Sequence, residues 1–81
     1  MVEVSLVSSL RPAVGGLDRI DVEARTIREL LTKLVARYPS LQEHLDAGIA
    51  VAVNGEIYRD NRELEIPAQS EVYLMPRIKG G

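Results

Sequence analysis

Val2, Val4 and Leu6 alternate with Glu3 and Ser5 at the start of the chain. That is the period-two pattern of a strand with one buried face, and it predicts a first strand over roughly 2–8. Between Arg11 and Gly16, Pro12 restricts φ while Gly15-Gly16 relax it, and Ile20 and Val22 then alternate against Arg19, Asp21 and Glu23. The two segments read as a hairpin. Thr26-Ile27-Arg28-Glu29 has the form of a capping box, in which the Thr26 hydroxyl and the Glu29 carboxylate satisfy amides at the first helical turn. Ile27, Leu30, Leu31, Leu34, Val35 and Tyr38 then form one continuous stripe at helical spacing, while Arg28, Lys33 and Arg37 face away. Pro39 predicts the end of this helix near Tyr38.

Ser40-Leu41-Gln42-Glu43 repeats the capping pattern and predicts a short helical turn that Gly48 terminates. Ile49-Ala50-Val51-Ala52-Val53 is apolar throughout, as expected of an interior strand that is either covered on both sides or turns its small alanines to the outer face. Asn54-Gly55 suits a type I′ turn, which needs positive φ at both positions, so Glu56-Ile57-Tyr58 returns as a short strand. Residues 59–70 are polar apart from Leu64 and Ile66. Glu71 to Met75 alternates again as the last strand, with Pro76 expected to interrupt pairing and residues 77–81 to leave the sheet.

This element order predicts an α+β fold: a mixed sheet of four to five strands covered on one face by a single main helix. The first and last strands can then pair in parallel at the centre, the arrangement called a β-grasp. The expected organisation is a domain over 1–76 and a flexible, extended Gly-Gly tail over 77–81.

Length and composition narrow the function classes. Eighty-one residues make one small domain. Without a single cysteine, the chain has no thiol nucleophile, thiolate metal site or iron–sulfur cluster. A net charge of −2 with mixed signs gives no support to nucleic-acid binding. No apolar run approaches a membrane span and no signal-like segment opens the chain, so a cytoplasmic protein is expected.

Isolated chemical candidates have ordinary explanations. His44 has no acid or nucleophile near it in sequence. Gly15-Gly16 lacks the Lys and Ser/Thr of a phosphate loop and reads as a turn. Glu56, Asp60, Glu63 and Glu65 lack the ligand spacing of a hard-cation site and read as a solvated face. No acid, base and nucleophile converge, so a stand-alone enzyme is not expected.

The terminus carries the sharper signal. The chain ends in Gly80-Gly81, a pairing that chance would place there about once in two hundred chains. Arg77 to Gly81 spans about 16–18 Å when extended, enough to present a terminal carboxylate deep inside a partner. Two residues without Cβ can thread a narrow channel and bring a carboxylate oxygen to the α-phosphate of ATP, which suits acyl-adenylate formation. Arg77 and Lys79 add positive charge that can meet acidic groups or phosphates of a partner. Val7, Tyr73, Met75 and Ile78 are apolar residues on or beyond strands whose alternate positions carry the core, and they are expected to line the uncovered sheet face. With Pro76, Arg77 and Lys79 they make the candidate partner surface.

The stretch Ile66 to Gly81, with Glu71-Val72, Pro76 and the terminal Gly80-Gly81, resembles the end of the MoaD/ThiS family, which includes the small subunit of molybdopterin synthase. Thr26 to Tyr38 followed by Pro39-Ser40-Leu41, and Val53-Asn54-Gly55-Glu56, are similar to that family's helix and hairpin. The resemblance covers nearly the whole chain, and the Gly-Gly end is its specific part. It implies a ubiquitin-like sulfur carrier. An adenylating enzyme converts the Gly81 carboxylate to an acyl-adenylate at the expense of ATP, and a sulfur donor protein converts that to a thiocarboxylate. A larger molybdopterin synthase-type subunit is the implied recipient in one branch, with thiamine or tRNA thiolation in others. The carrier itself holds no tightly bound cofactor and no metal. Two positions depart from the family pattern: Arg77 stands where a second proline is common, and Lys79 where a small residue often precedes Gly-Gly. Two other readings share the tail or the fold: a protein modifier joined through Gly81 to a lysine, and a non-covalent interaction module in which the tail is dispensable.

Overall fold

The computed structural model describes residues 2–58 and 61–77. Among them, five strands form one sheet, joined by two α-helices and a 3₁₀ segment: β1 (Val2–Leu6), the 3₁₀ segment (Ser8–Val14), β2 (Arg19–Val22), α1 (Ile27–Arg37), α2 (Leu41–Ala47), β3 (Ile49–Val53), β4 (Glu56–Tyr58) and β5 (Glu71–Pro76). The strand order is β2-β1-β5-β3-β4. The first and last strands lie side by side in parallel, Glu3 opposite Glu71 and Leu6 opposite Leu74, and every other neighbouring pair is antiparallel.

Burial follows the alternation. Val2, Val4 and Leu6 of β1, Ile20 and Val22 of β2, Val72 and Leu74 of β5, and Ile49, Val51 and Val53 of β3 face one cluster with Ile27, Leu30, Leu31 and Leu34 of α1. Each fully buried large aliphatic side chain contributes about 1.5–3 kcal/mol, which is what holds a cysteine-free domain of this size together. Val35 and Tyr38 complete the helical stripe half-buried.

The start of α1 shows how completely its amides are satisfied. The Thr26 hydroxyl accepts the Glu29 N–H at 3.1 Å, and the Glu29 carboxylate reaches back to the Arg25 N–H at 2.7 Å. The carbonyls of Leu64 and Arg62 take the N–H groups of Ile27 and Arg28. Three otherwise orphaned donors of the first turn thus have partners. Leu64 and Ile66, the apolar exceptions in the polar 59–70 stretch, anchor this strap against the core.

Three local expectations are corrected. The first strand stops at Leu6, and residues 8–14 wind into a 3₁₀ segment inside the hairpin connection, with Leu10 and Val14 buried. Ser40 makes no capping bond: it has helical φ −62° and ψ −19°, and the carbonyls of Tyr38 and Pro39 accept the Leu41 and Gln42 amides. Pro76 does not interrupt pairing; it is the last residue of β5, opposite Ile49. The reason lies in strand alternation. The flanking Arg77 amide points to β3, where it donates to the Gly48 carbonyl at 3.0 Å, so the Pro76 nitrogen faces the β1 side. There the paired register ends at Leu74, and no ladder bond requires a donor from Pro76.

Candidate functional site

The sheet face away from α1 is built by cross-strand neighbours. Tyr73 on β5 lies between Ser5 of β1 and Ala52 of β3, and Ile57 of β4 flanks Ala52 on its far side. Met75 lies beside Ala50. Ala50 and Ala52 stand outside the core cluster, on the other side of β3 from Ile49, Val51 and Val53, and are themselves buried, 5% and 7% exposed, beside these larger neighbours. Tyr73 is 47% exposed and Ile57 58%, an unusual exposure for large apolar groups on a chain that buries its other strand aliphatics. Met75 is half-buried. Val7 is also half-buried and packs against the core cluster, with its amide donating to the Leu74 carbonyl.

Charge is graded along this face. At the start of β5, Glu71 lies beside Glu3, which in turn pairs with Asp21 across β1–β2, and Arg19 approaches Glu3 at 3.7 Å. At the other end, β5 leads through Pro76 to Arg77, both exposed. The face thus runs from an acidic end through an apolar middle to a basic root of the tail. Ile78, Lys79, Gly80 and Gly81 lie outside the described residues, as do Met1, Arg59 and Asp60.

The elements that aim this face are fixed by polar contacts at its ends. Asn54 has φ 49° and Gly55 φ 90°, the left-handed pair expected of the turn. The Asn54 side chain accepts the Glu71 amide at 3.0 Å and donates to the Ser70 hydroxyl at 3.2 Å, while Ser70 donates to the Pro67 carbonyl at 2.6 Å. Ser70 is the buried polar side chain among the described residues, and this network satisfies it. In β4 the Tyr58 hydroxyl donates to the Glu56 carboxylate at 2.5 Å. That bond, with some desolvation and the neighbouring negative charge, raises the phenol above its ordinary value of 10.0.

Among the described residues no group of His, Cys, Asp and Glu is arranged to hold a metal ion, and no helix is long and apolar enough to cross a membrane. His44 is half-buried on α2, and Gly15 closes the 3₁₀ segment. The structure brings Tyr73 and Met75 onto one face, with Pro76 and Arg77 at its end. Sequence reasoning missed Ile57 as a member of that face, and it offered the outer-face alanines of β3 without joining them to the partner surface. It read Gly48 as the end of the short helix and missed its bond to Arg77.

A parallel first-and-last strand pair at the centre of a mixed sheet, one main helix across one face and a chain end emerging from the central strand define a ubiquitin-like β-grasp protein. The chain belongs to the ThiS family, whose model matches residues 4–81. Comparison with curated proteins finds no match. Among solved structures, a chain of the BexX/CysO complex of Amycolatopsis orientalis is 25% identical, covers 100% of both chains and superposes with a TM-score of 0.80. SAMP1, small archaeal modifier protein 1, of Haloferax volcanii is 26% identical, with 99% of this chain and 98% of that one covered and a TM-score of 0.70. The putative molybdopterin converting factor subunit 1 of Pyrococcus furiosus is 24% identical over 95% of this chain and 97% of that one, with a TM-score of 0.78.

Proposed function

We propose that this chain is a cytoplasmic sulfur carrier whose working group is the Gly81 carboxylate. The observation that carries the reading is that the family match runs through Gly80-Gly81, the two residues without Cβ that follow the central strand and its basic root. In the active site of an adenylating enzyme, a Gly81 carboxylate oxygen attacks the α-phosphorus of ATP, pyrophosphate leaves, and an acyl-adenylate forms. Hydrosulfide released by the donor protein then attacks the carbonyl carbon, AMP leaves, and the C-terminus becomes a thiocarboxylate. Delivery of that sulfur to an electrophilic carbon of an acceptor, followed by hydrolysis, regenerates the carboxylate.

The carrier supplies no base, metal or tightly bound cofactor in this scheme; ATP is consumed by its partner. Its own contribution is positioning. The face formed by Tyr73, Met75 and Ile57 around Ala50 and Ala52 docks the partner, and the tail then reaches the reacting phosphate. A molybdopterin-type acceptor held by a larger subunit is the preferred branch, supported by the likeness to the Pyrococcus furiosus protein. The BexX/CysO complex supports docking on a second protein. A protein modifier conjugated through Gly81 is the second reading, favoured by the likeness to SAMP1.

The test is the intact mass after incubation with ATP, a sulfur donor and the adenylating enzyme of the same source, against a sample without ATP. A gain equal to the replacement of one oxygen by sulfur is the expected result. An unchanged mass, with the enzyme active on another carrier, would overturn it, and isopeptide adducts in cell extract would select the modifier.

A further inference from the structure

Gly48 joins three elements at once. Its amide donates to the His44 and Leu45 carbonyls and so closes α2, it directly precedes β3, and its carbonyl accepts the Arg77 amide at 3.0 Å. Its backbone sits at φ 113° and ψ 120°, a region that side chains of L-residues essentially do not enter. The Arg77 stem lies directly over it: a Cβ on Gly48 would stand 3.1 Å from the Arg77 Cδ and 3.5 Å from its Cβ. The dihedrals of position 48 therefore disfavour a side chain whatever the space, and one placed there would also crowd the Arg77 stem.

We propose that Gly48 and Arg77 form a lock that sets where, and in what direction, the C-terminal tail departs from the sheet, making Gly48 a positioning residue for delivery of the Gly81 carboxylate. The proposal rests on the sulfur-carrier reading for its role in activation. Its structural logic is independent of that reading. The bond from Arg77 to Gly48 lies one residue beyond the last paired residue of β5, Pro76 opposite Ile49, and is the last backbone tie of that strand to β3 among the described residues. A proline at 77 would remove the donor, and the last tie would move back along β5. Pinning the chain at Arg77 fixes the point and the direction from which it continues toward Gly81, and so narrows the set of directions in which the carboxylate is offered to a partner. A narrower distribution lowers the apparent Michaelis constant for the carrier, because a larger share of encounters begins with the tail correctly aimed. The chemical step, once the tail is seated, is untouched.

The experiment uses the full chain with the adenylating enzyme of the same source, following carrier-dependent ATP–pyrophosphate exchange. R77P, which removes the donor, R77A, which keeps it but removes the stem, G48A and the double variant G48A/R77A are compared with the wild type. Loss of one net hydrogen bond corresponds to about a two- to tenfold effect. R77P is expected to raise KM for the carrier by that factor over R77A, which lacks the same side chain but keeps the amide, at unchanged kcat, and G48A to raise it by the same factor or more over the wild type. G48A/R77A should lie nearer the wild type than G48A, because the contact over residue 48 has been relieved. Simple destabilisation would also raise the apparent KM, by thinning the folded carrier, so each variant's concentration is taken as folded carrier from its denaturation curve and only a KM change that survives this correction supports the lock. If G48A does not fold, R77P and R77A carry the test. A KM in folded R77P no higher than that of R77A overturns the proposal. So does unprotected exchange of the Arg77 amide in the wild-type protein. If the wild type is not adenylated by an enzyme active on another carrier, the functional reading fails and protection of the Arg77 amide alone decides whether the lock exists.

Discussion

Asn54 and Glu71 exchange two hydrogen bonds: the Asn54 backbone amide donates to the Glu71 carbonyl at 2.9 Å, and the Glu71 amide donates to the Asn54 side-chain oxygen at 3.0 Å. The β3–β4 turn is thereby tied to the start of the central strand, and the same side chain holds Ser70. Replacing Asn54 by Ala removes both side-chain bonds and places a Cβ-bearing residue without local compensation at φ 49°. We expect N54A to lose about 1–3 kcal/mol in urea denaturation, and S70A a smaller part of that.

At the other edge of the domain, T26A should cost about 1 kcal/mol, since it removes the acceptor for the Glu29 amide at the N-cap of α1. Thermal denaturation by circular dichroism would show it, and T26S should restore most of the loss.

This cap was legible in the sequence because Thr26, Glu29 and the stripe from Ile27 to Tyr38 are local signals pointing the same way. The Asn54-Gly55 turn was legible for the same reason. Ser40 misled because the pattern repeats the cap letters, while backbone carbonyls of the preceding turn already supply what a hydroxyl would have offered. Pro76 misled because whether a proline breaks a ladder depends on which neighbour its nitrogen faces, and that is a property of the register. Ile57 became part of the open face only through its position across Ala52 from Tyr73. Such relations between distant residues leave no local trace, whereas Tyr73 and Met75 could be read from alternation within their own strand.

The two faces of the sheet should separate stability from binding. L34A, in the core, is expected to cost about 2–5 kcal/mol. Y73A and I57A, on the open face, should leave denaturation midpoints nearly unchanged and weaken binding of the adenylating enzyme by about tenfold or more in calorimetry. Equal binding by Y73A, I57A and the wild type would remove this face from the partner surface.

Deletion of Gly80-Gly81 should abolish the ATP-dependent mass gain while the melting temperature stays within experimental error of the wild type. Retained activation would contradict a role for the terminal carboxylate.

The paired neighbours of β5 carry a last consequence. Its partners belong to two separate hairpins, β1–β2 and β3–β4, which share no other strand. Among the described residues β5 is thus the one strand that joins the two halves, and a protease cut before Glu71 would sever it from the chain together with everything beyond it. A cut after Arg77 would leave the described sheet whole. On the sulfur-carrier reading, a partner that recognises the open face would in the second case meet a competitive inhibitor made of the protein itself.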